Sequence, residues 1–313
     1  MKAIVYDHYG PPDVLHMEEV ARPEPKQDEV LVKVHAVAVT RADCATRDAN
    51  RKGGALVTVI SRLVSGVRRP RQPILGSEFA GVVEATGERV FGSTGFRFGA
   101  YAEYLTARQT SRISTMPRNV SFEQAAAVTD GGLNALWCLK WTHPHPGQKV
   151  LVYGASGAIG TAAVQVAKHF EAEVTAVCGT KNLGLMKALG ADSVVDYTRE
   201  DFTQNGQTYD VILDAVGKHS FRRARRSLHP NGFYLATDGF ENLFLGLWNK
   251  QVIFKIPPRY TKQDVVLLKE LVEAGEFKPV VDRSYTMKDV VEASRYVETE
   301  QKTGNVILTI APG

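Results

Sequence analysis

Cysteine is scarce in this chain: three in 313 residues, at Cys44, Cys138 and Cys178. An odd number of widely spaced cysteines excludes a disulfide framework. Without any CxxC pair, a four-cysteine structural zinc site is excluded as well. A reducing setting fits such usage, and a cytoplasmic location is expected. No long hydrophobic run is present either. The longest stretch without a charge, Val150 to Ala167, contains Gly154, Gly157 and Gly160 and reads as strand, turn and helix rather than as a membrane span. The N-terminal stretch MKAIVYDHYGPPDVLHMEE has acids where a secretory leader needs an apolar segment. A large charge excess is the third absence. Lys plus Arg number 38 and Asp plus Glu 34, a net charge of +4, which excludes a polybasic nucleic-acid binder as a whole.

What remains is an ordinary globular composition, 44% hydrophobic and 23% charged, long enough for about two domains. The first third carries short strand signals at Ala3 to Tyr6, Val30 to Val39, Phe79 to Glu84, Arg89 to Phe91 and Tyr101 to Leu105. Pro and Gly clusters punctuate them, which predicts a barrel-like β region with one or two short helices. From Ser121 a helix begins, and strands then alternate with helices. Strands are predicted at 149–153, 173–178, 193–196, 211–214, 233–236 and 251–256. Helices are predicted at 158–170, 182–189 and 221–228. This alternation predicts a parallel sheet covered on both faces. Amphipathic helices at 263–274 and 287–298 and a strand at 305–310 close the chain.

The strongest local signal is KVLVYGASGAIGTAAVQVAKHF. A strand runs into Gly154, Gly157 and Gly160 and then into a long helix. One glycine permits the tight turn, another lets backbone N–H groups approach a pyrophosphate, and a third lets helix and strand pack closely. The helix N-terminus adds partial positive charge. The next strand, EVTAVC, ends in Cys178-Gly179-Thr180-Lys181, with no acid to bind ribose hydroxyls. A hydroxyl and a cation stand there instead, which favours NADP over NAD.

At this point the chain resembles the zinc-independent medium-chain dehydrogenases/reductases of the quinone oxidoreductase type. The resemblance rests on RADCATRD, PILGSEFAGVVEATG, FGAYAEYL, PGQKVLVYGASGAIGTAAVQVAK, LGADSVVDYTRED, YDVILDAVG, FKPVVDRSY and GNVILTI. It implies an α/β fold, with a GroES-like β-barrel domain (residues 1–120 and 259–313) and a Rossmann doubly wound parallel sheet domain (residues 121–258). It implies NADPH or NADP as cofactor. The implied pyrophosphate contacts are Gly154, Ser156, Gly157, Ala158, Ile159 and Gly160. Thr180, Lys181 and Tyr197 would grip the adenosine 2′-phosphate. Val216, Gly217, Thr237, Asp238 and Asn305 would approach the ribose and nicotinamide. Thr40 and Ser77 stand where the zinc-dependent alcohol dehydrogenases have a Cys and a His, so no metal is expected. Thr40-Arg41, Ala45, Asn134 and a shortened loop after Glu84 depart from the usual zinc-free pattern, all in or near the expected substrate region.

The expected chemistry is hydride transfer from NADPH to a quinone, enone or enal. Such acceptors spread incoming charge, so hydrogen-bond donors suffice without a metal. Thr40 is the candidate donor and Arg41 the candidate charge stabiliser. Two other readings stand beside this one: an alcohol or aldehyde dehydrogenase of the same superfamily, and an NADPH-binding sensor or RNA-binding protein with little turnover. Strand 251–256 is expected to pair two copies into a homodimer. The basic run Arg222 to Arg226 reads as a solvated helix face, and nucleic acid is not an expected partner. The apolar stretch ALVTVISRLVSGV, followed by Arg68-Arg69-Pro70-Arg71, reads as a substrate lid or a peripheral membrane contact.

Overall fold

The computed structural model describes residues 1–49, 53–237, 240–254 and 259–311; the side chains of 240, 241, 243 and 244 are not described. The chain divides into two compact units: residues 1–130, 261–270 and 281–313, and residues 131–260 and 271–280.

The first unit begins with β1 (Lys2–Val5), β2 (His16–Glu19) and the long β3 (Glu29–Val39). Two helices follow, α1 (Arg41–Arg47) and α2 (Ala55–Ser65). Four strands come next: β4 (Glu78–Val83), β5 (Arg89–Ser93), β6 (Tyr104–Arg108) and β7 (Ile113–Thr115). Helix α3 (Phe122–Lys140) starts with a reciprocal cap: Gln124 N–H donates to Ser121 Oγ, and Ser121 N–H to Gln124 Oε1. The division between units falls inside this helix.

The second unit contains β8 (Lys149–Tyr153), α4 (Ala158–His169), β9 (Glu173–Cys178), α5 (Leu183–Ala188) and β10 (Ser193–Asp196). It continues with β11 (Tyr209–Asp214), α6 (Phe221–Ala224), β12 (Leu228–Ala236), α7 (Phe240–Trp248) and β13 (Val252–Ile253). Helix α8 (Lys262–Glu273) crosses the second division. The chain returns to the first unit with β14 (Val281–Thr286), α9 (Val290–Glu298) and β15 (Asn305–Thr309).

The second sheet has the order β10-β9-β8-β11-β12-β13 with every pairing parallel, a doubly wound arrangement. Valines and alanines fill its middle strands because both faces are covered: Val150, Leu151, Val152, Val174, Ala176, Val177, Ile212 and Leu213 are all buried. Gln165 on α4 exchanges two hydrogen bonds with Lys278, tying 271–280 to this unit. The first unit carries a seven-stranded sheet in which β15 pairs antiparallel with β3 and β14 parallel with β15. The last strand, β15, therefore lies in the same sheet as β3, β4 and β5 from the first hundred residues.

Local readings differ from the sequence expectation in several places. The helix expected at 221–228 is α-helical over Phe221–Ala224 and continues as a 3-10 turn over Arg225–Ser227, after which Leu228 starts β12. The strand expected at 251–256 is two residues long, Val252–Ile253, and residues 255 and 256 lie outside the described residues. Helix α7 has no counterpart among the elements expected from the sequence. The stretch after Gly54 is a helix of three turns.

Candidate active site

The glycine turn sits between β8 and α4, at the carboxyl end of the parallel sheet. Gly154 has φ +75°, and a Cβ there would lie 2.6 Å from Val216 Cγ1. At Gly160 a Cβ would lie 2.3 Å from the Gly154 carbonyl oxygen, so helix and turn touch only because residue 160 has no side chain. Gly157 differs. Nothing but the Gly154 carbonyl oxygen, at 3.7 Å, would meet a Cβ there. The fold itself does not require glycine at 157, and the space is open for a ligand backbone to approach. The first bond of α4 is Thr161 N–H to Gly157 O, 2.8 Å, so the N–H groups of Ala158, Ile159 and Gly160 line the open helix end beside Ser156.

Asp214 shapes the neighbouring turn. Fully buried at the end of β11, it accepts from the N–H groups of Val216, Gly217 and His219 and from the Tyr234 hydroxyl. Thr237 donates through its hydroxyl to the Asp214 carbonyl, 3.0 Å. Val216, Gly217 and Thr237 are thus held at adjacent strand ends. Asp238 lies outside the described residues.

Beside these turns lies a cavity of about 310 Å³ lined by Tyr153, Tyr197, Arg199, Phe202, His219 and Arg223. His219 is 7% exposed, and neither ring nitrogen makes a hydrogen bond of good geometry. Its ring packs on Phe202 at 4.9 Å and Tyr153 at 5.1 Å between centroids. Burial, then the charge of Arg223, pushes its pKa down, so it carries one N–H donor and one bare nitrogen acceptor at neutral pH. A buried imidazole with both nitrogens unmet is a place that a polar ring can complete. Sequence reading missed His219, Arg199, Arg223 and Tyr153, because no contiguous motif joins them.

The loop after β9 brings a surprise. Thr180 and Lys181 stand where expected, and Tyr197, 56% exposed, packs over Gly179. A carboxylate is also there. β10 pairs with β9 in register, Asp196 opposite Cys178, so Asp196 meets the loop from the next strand. Thr180 donates its hydroxyl to Asp196 at 2.5 Å, Thr198 donates its own at 2.7 Å, and Arg199 lies 3.7 Å away. These hydroxyl donors hold the Asp196 pKa below the usual carboxylate range. The loop therefore has no acid of its own, and the neighbouring acid is already satisfied.

In the first unit, the residues expected at the acceptor end form a buried polar cluster. Thr40 caps α1: its hydroxyl donates to Asp43 Oδ2 at 2.8 Å and accepts from Asp43 N–H at 3.1 Å. Asp43 also accepts from Gly76 N–H at 3.0 Å. Ser77 and Ser93 donate to Glu78 Oε1 at 3.2 and 2.9 Å. Burial pushes Asp43 up to about 6, and burial with the Asp130 charge pushes Glu78 up to about 7. Arg41 faces Glu300 at 3.2 Å. Asn305, 4% exposed, donates to the Ala127 carbonyl at 3.1 Å. Thr40 and Arg41 thus already have partners within the chain. Among the described residues, no group of three or more His, Cys, Asp or Glu side chains lies close enough to hold a metal ion.

Comparison with known proteins agrees with this architecture. The family model described as an alcohol dehydrogenase GroES-like domain matches residues 26–100, and that described as a zinc-binding dehydrogenase matches residues 189–308. The chain is 32% identical to 2-methylene-furan-3-one reductase of Solanum lycopersicum, over 100% of this chain and 80% of the relative. It belongs to the medium-chain dehydrogenase/reductase superfamily, in the quinone oxidoreductase-like branch. A second member of this family, the chloroplastic NADPH-dependent alkenal/one oxidoreductase of Arabidopsis thaliana, is equally similar: 32% identical, with 100% and 80% coverage. Among solved structures, the quinone oxidoreductase of Coxiella burnetii superposes with a TM-score of 0.86 at 26% identity, over 99% of both chains. The zinc in the family description does not extend to the side chains at Thr40 and Ser77, which supply no thiolate or imidazole. Among the described residues, no helix is long and apolar enough to cross a membrane.

Proposed function

We propose that this protein is an NADPH-dependent reductase of quinones or α,β-unsaturated carbonyls that works without a metal ion. The observation that carries the reading is the glycine turn, where fold sterics account for Gly154 and Gly160 but leave Gly157 open beside a helix N-terminus. The relatives named as enone and quinone reductases support the acceptor class.

When bound, NADPH supplies a hydride from its nicotinamide ring to an electrophilic carbon of the acceptor. The chain's own work is holding and orienting. The N–H groups of Ser156, Ala158, Ile159 and Gly160 bind the pyrophosphate at the helix end. Lys181, Tyr197 and Arg199 face the 2′-phosphate, with Thr180 and Asp196 fixing the loop beneath them. His219 offers a donor and an acceptor to the adenine edge, between Tyr153 and Phe202. Val216, Gly217, Thr237, Asp238 and Asn305 are the proposed neighbours of the ribose and nicotinamide. At the acceptor end, Thr40 and Arg41 take part by exchanging Asp43 and Glu300 for the acceptor oxygen.

The free thiols of Cys44, Cys138 and Cys178 fit a reducing, cytoplasmic setting. The edge position of Val252–Ile253 fits pairing with a second copy across a two-fold axis.

The test is an acceptor panel of quinones, enones, enals and simple alcohols, run with NADPH or NADP and with a chelator present. Reduction of conjugated acceptors with no loss on chelation is expected. Alcohol oxidation that the chelator abolishes would overturn the reading.

A further inference from the structure

The surface helix α2 is built the wrong way round for a soluble protein. No residue in Ala55–Ser65 is buried. Leu56, Val59, Ile60, Leu63 and Val64, spaced at three and four residues, form one stripe and are 71%, 55%, 43%, 60% and 70% exposed. The side that is half covered holds Val57 with the polar Thr58, Ser61, Arg62 and Ser65. A surface helix ordinarily buries its apolar stripe and shows its polar one.

This orientation is pinned by specific bonds. Tyr9 donates its hydroxyl to the Gly66 carbonyl at 2.7 Å, and the Arg62 guanidinium lies over the Tyr9 ring at 5.4 Å. Arg71 closes the C-terminal end, its N–H on Ser65 O at 2.8 Å and its guanidinium on Val64 O at 3.3 Å. Gly66 has φ +124°, and a Cβ there would lie 2.0 Å from the Arg69 carbonyl oxygen. Only glycine makes this turn, and the turn sets the exposed Arg68, Arg69 and Arg71 directly beside the stripe.

Charge specifies the occupant. Between Asp48 and Glu78 there is no acid, and there are six cations: Arg51, Lys52, Arg62, Arg68, Arg69 and Arg71. The same stretch has no aromatic residue, so it lacks the rings that stack nucleic-acid bases. Face-to-face contact with a second copy would bring two such cationic segments together without a counter-charge. An anionic bilayer surface matches both halves of the patch, phosphates for the arginines and the headgroup–acyl boundary for the aliphatic stripe.

We propose that α2 and the arginine turn after it dock this protein peripherally on anionic phospholipid membranes. The helix lies in the interface plane without spanning it.

The test is flotation of the full chain with phosphatidylcholine vesicles, with and without phosphatidylglycerol. Flotation with the anionic vesicles alone, weakening as salt is raised, is expected. Leu63→Glu, on the exposed stripe, should remove binding while leaving NADPH oxidation unchanged. Removing one charge with Arg69→Gln should weaken binding about fivefold. Three results would overturn the proposal: no flotation with anionic vesicles, equal flotation of Leu63→Glu, or a dimer that Leu63→Glu converts to monomer. Binding of RNA by the wild type in place of vesicles would overturn it as well.

Discussion

The glycine turn of the second unit and the capped helix α1 of the first use polar groups in opposite ways. Around Gly154–Gly160 the N–H groups of Ala158, Ile159 and Gly160 are left over at the start of α4, and the buried ring of His219 lines the neighbouring cavity. Around Asp43 and Glu78 the polar groups are buried and mostly bonded within the chain, Asp43 to Thr40 and Gly76 and Glu78 Oε1 to Ser77 and Ser93, while Glu78 Oε2 has no partner among the described residues. Unmet donors mark a place built for a ligand. Met ones mark a place built for the fold. The contrast separates the binding end from the scaffold.

The contrast breaks most sharply at the glycines. Gly160→Val forces a side chain into the Gly154 carbonyl and should cost about 3 kcal/mol, seen as a lower midpoint in urea unfolding. Gly157→Ala should leave that midpoint unchanged and weaken NADPH binding in a calorimetric titration. Equal effects of the two on stability would remove the distinction.

Next comes Glu78. Its pKa is raised from 4.5 to about 7, so the folded chain binds more protons than the unfolded chain between those values. Stability is therefore highest below pH 4.5 as far as this group is concerned, and falls as pH rises through 7. Glu78→Gln should flatten that fall, a change on the order of 3 kcal/mol between the two limits, read from unfolding midpoints across pH.

A smaller effect is expected at the cofactor loop. Lys181→Ala should raise the KM for NADPH about tenfold and leave that for NADH unchanged, the loss of one charged hydrogen bond. Thr40→Ala should lower stability by about 1 kcal/mol through the lost cap, with Thr40→Ser restoring it. A drop in kcat beyond that loss, also rescued by serine, would give Thr40 a place in turnover.

The turn was legible in sequence because its steric demands are local: a strand, three spaced glycines and a helix lie within one stretch. The parallel sheet was legible for the same reason, through its apolar runs. Asp196 was not legible as a neighbour of Thr180, because the pairing of β9 and β10 creates that contact across 16 positions. The cavity around His219 draws on four strand ends, so no window of sequence contains it. Thr40 was legible as a special position, but its hydroxyl's engagement with Asp43 follows from the α1 start that the sequence reading did not place.

The most direct measurement is kcat/KM for NADPH and for NADH with one enone acceptor, in the presence of chelator. A ratio well above one, with rates unchanged by the chelator, is predicted. A ratio at or below one, or activity that disappears with chelation, would contradict metal-free, NADPH-dependent reduction by this chain.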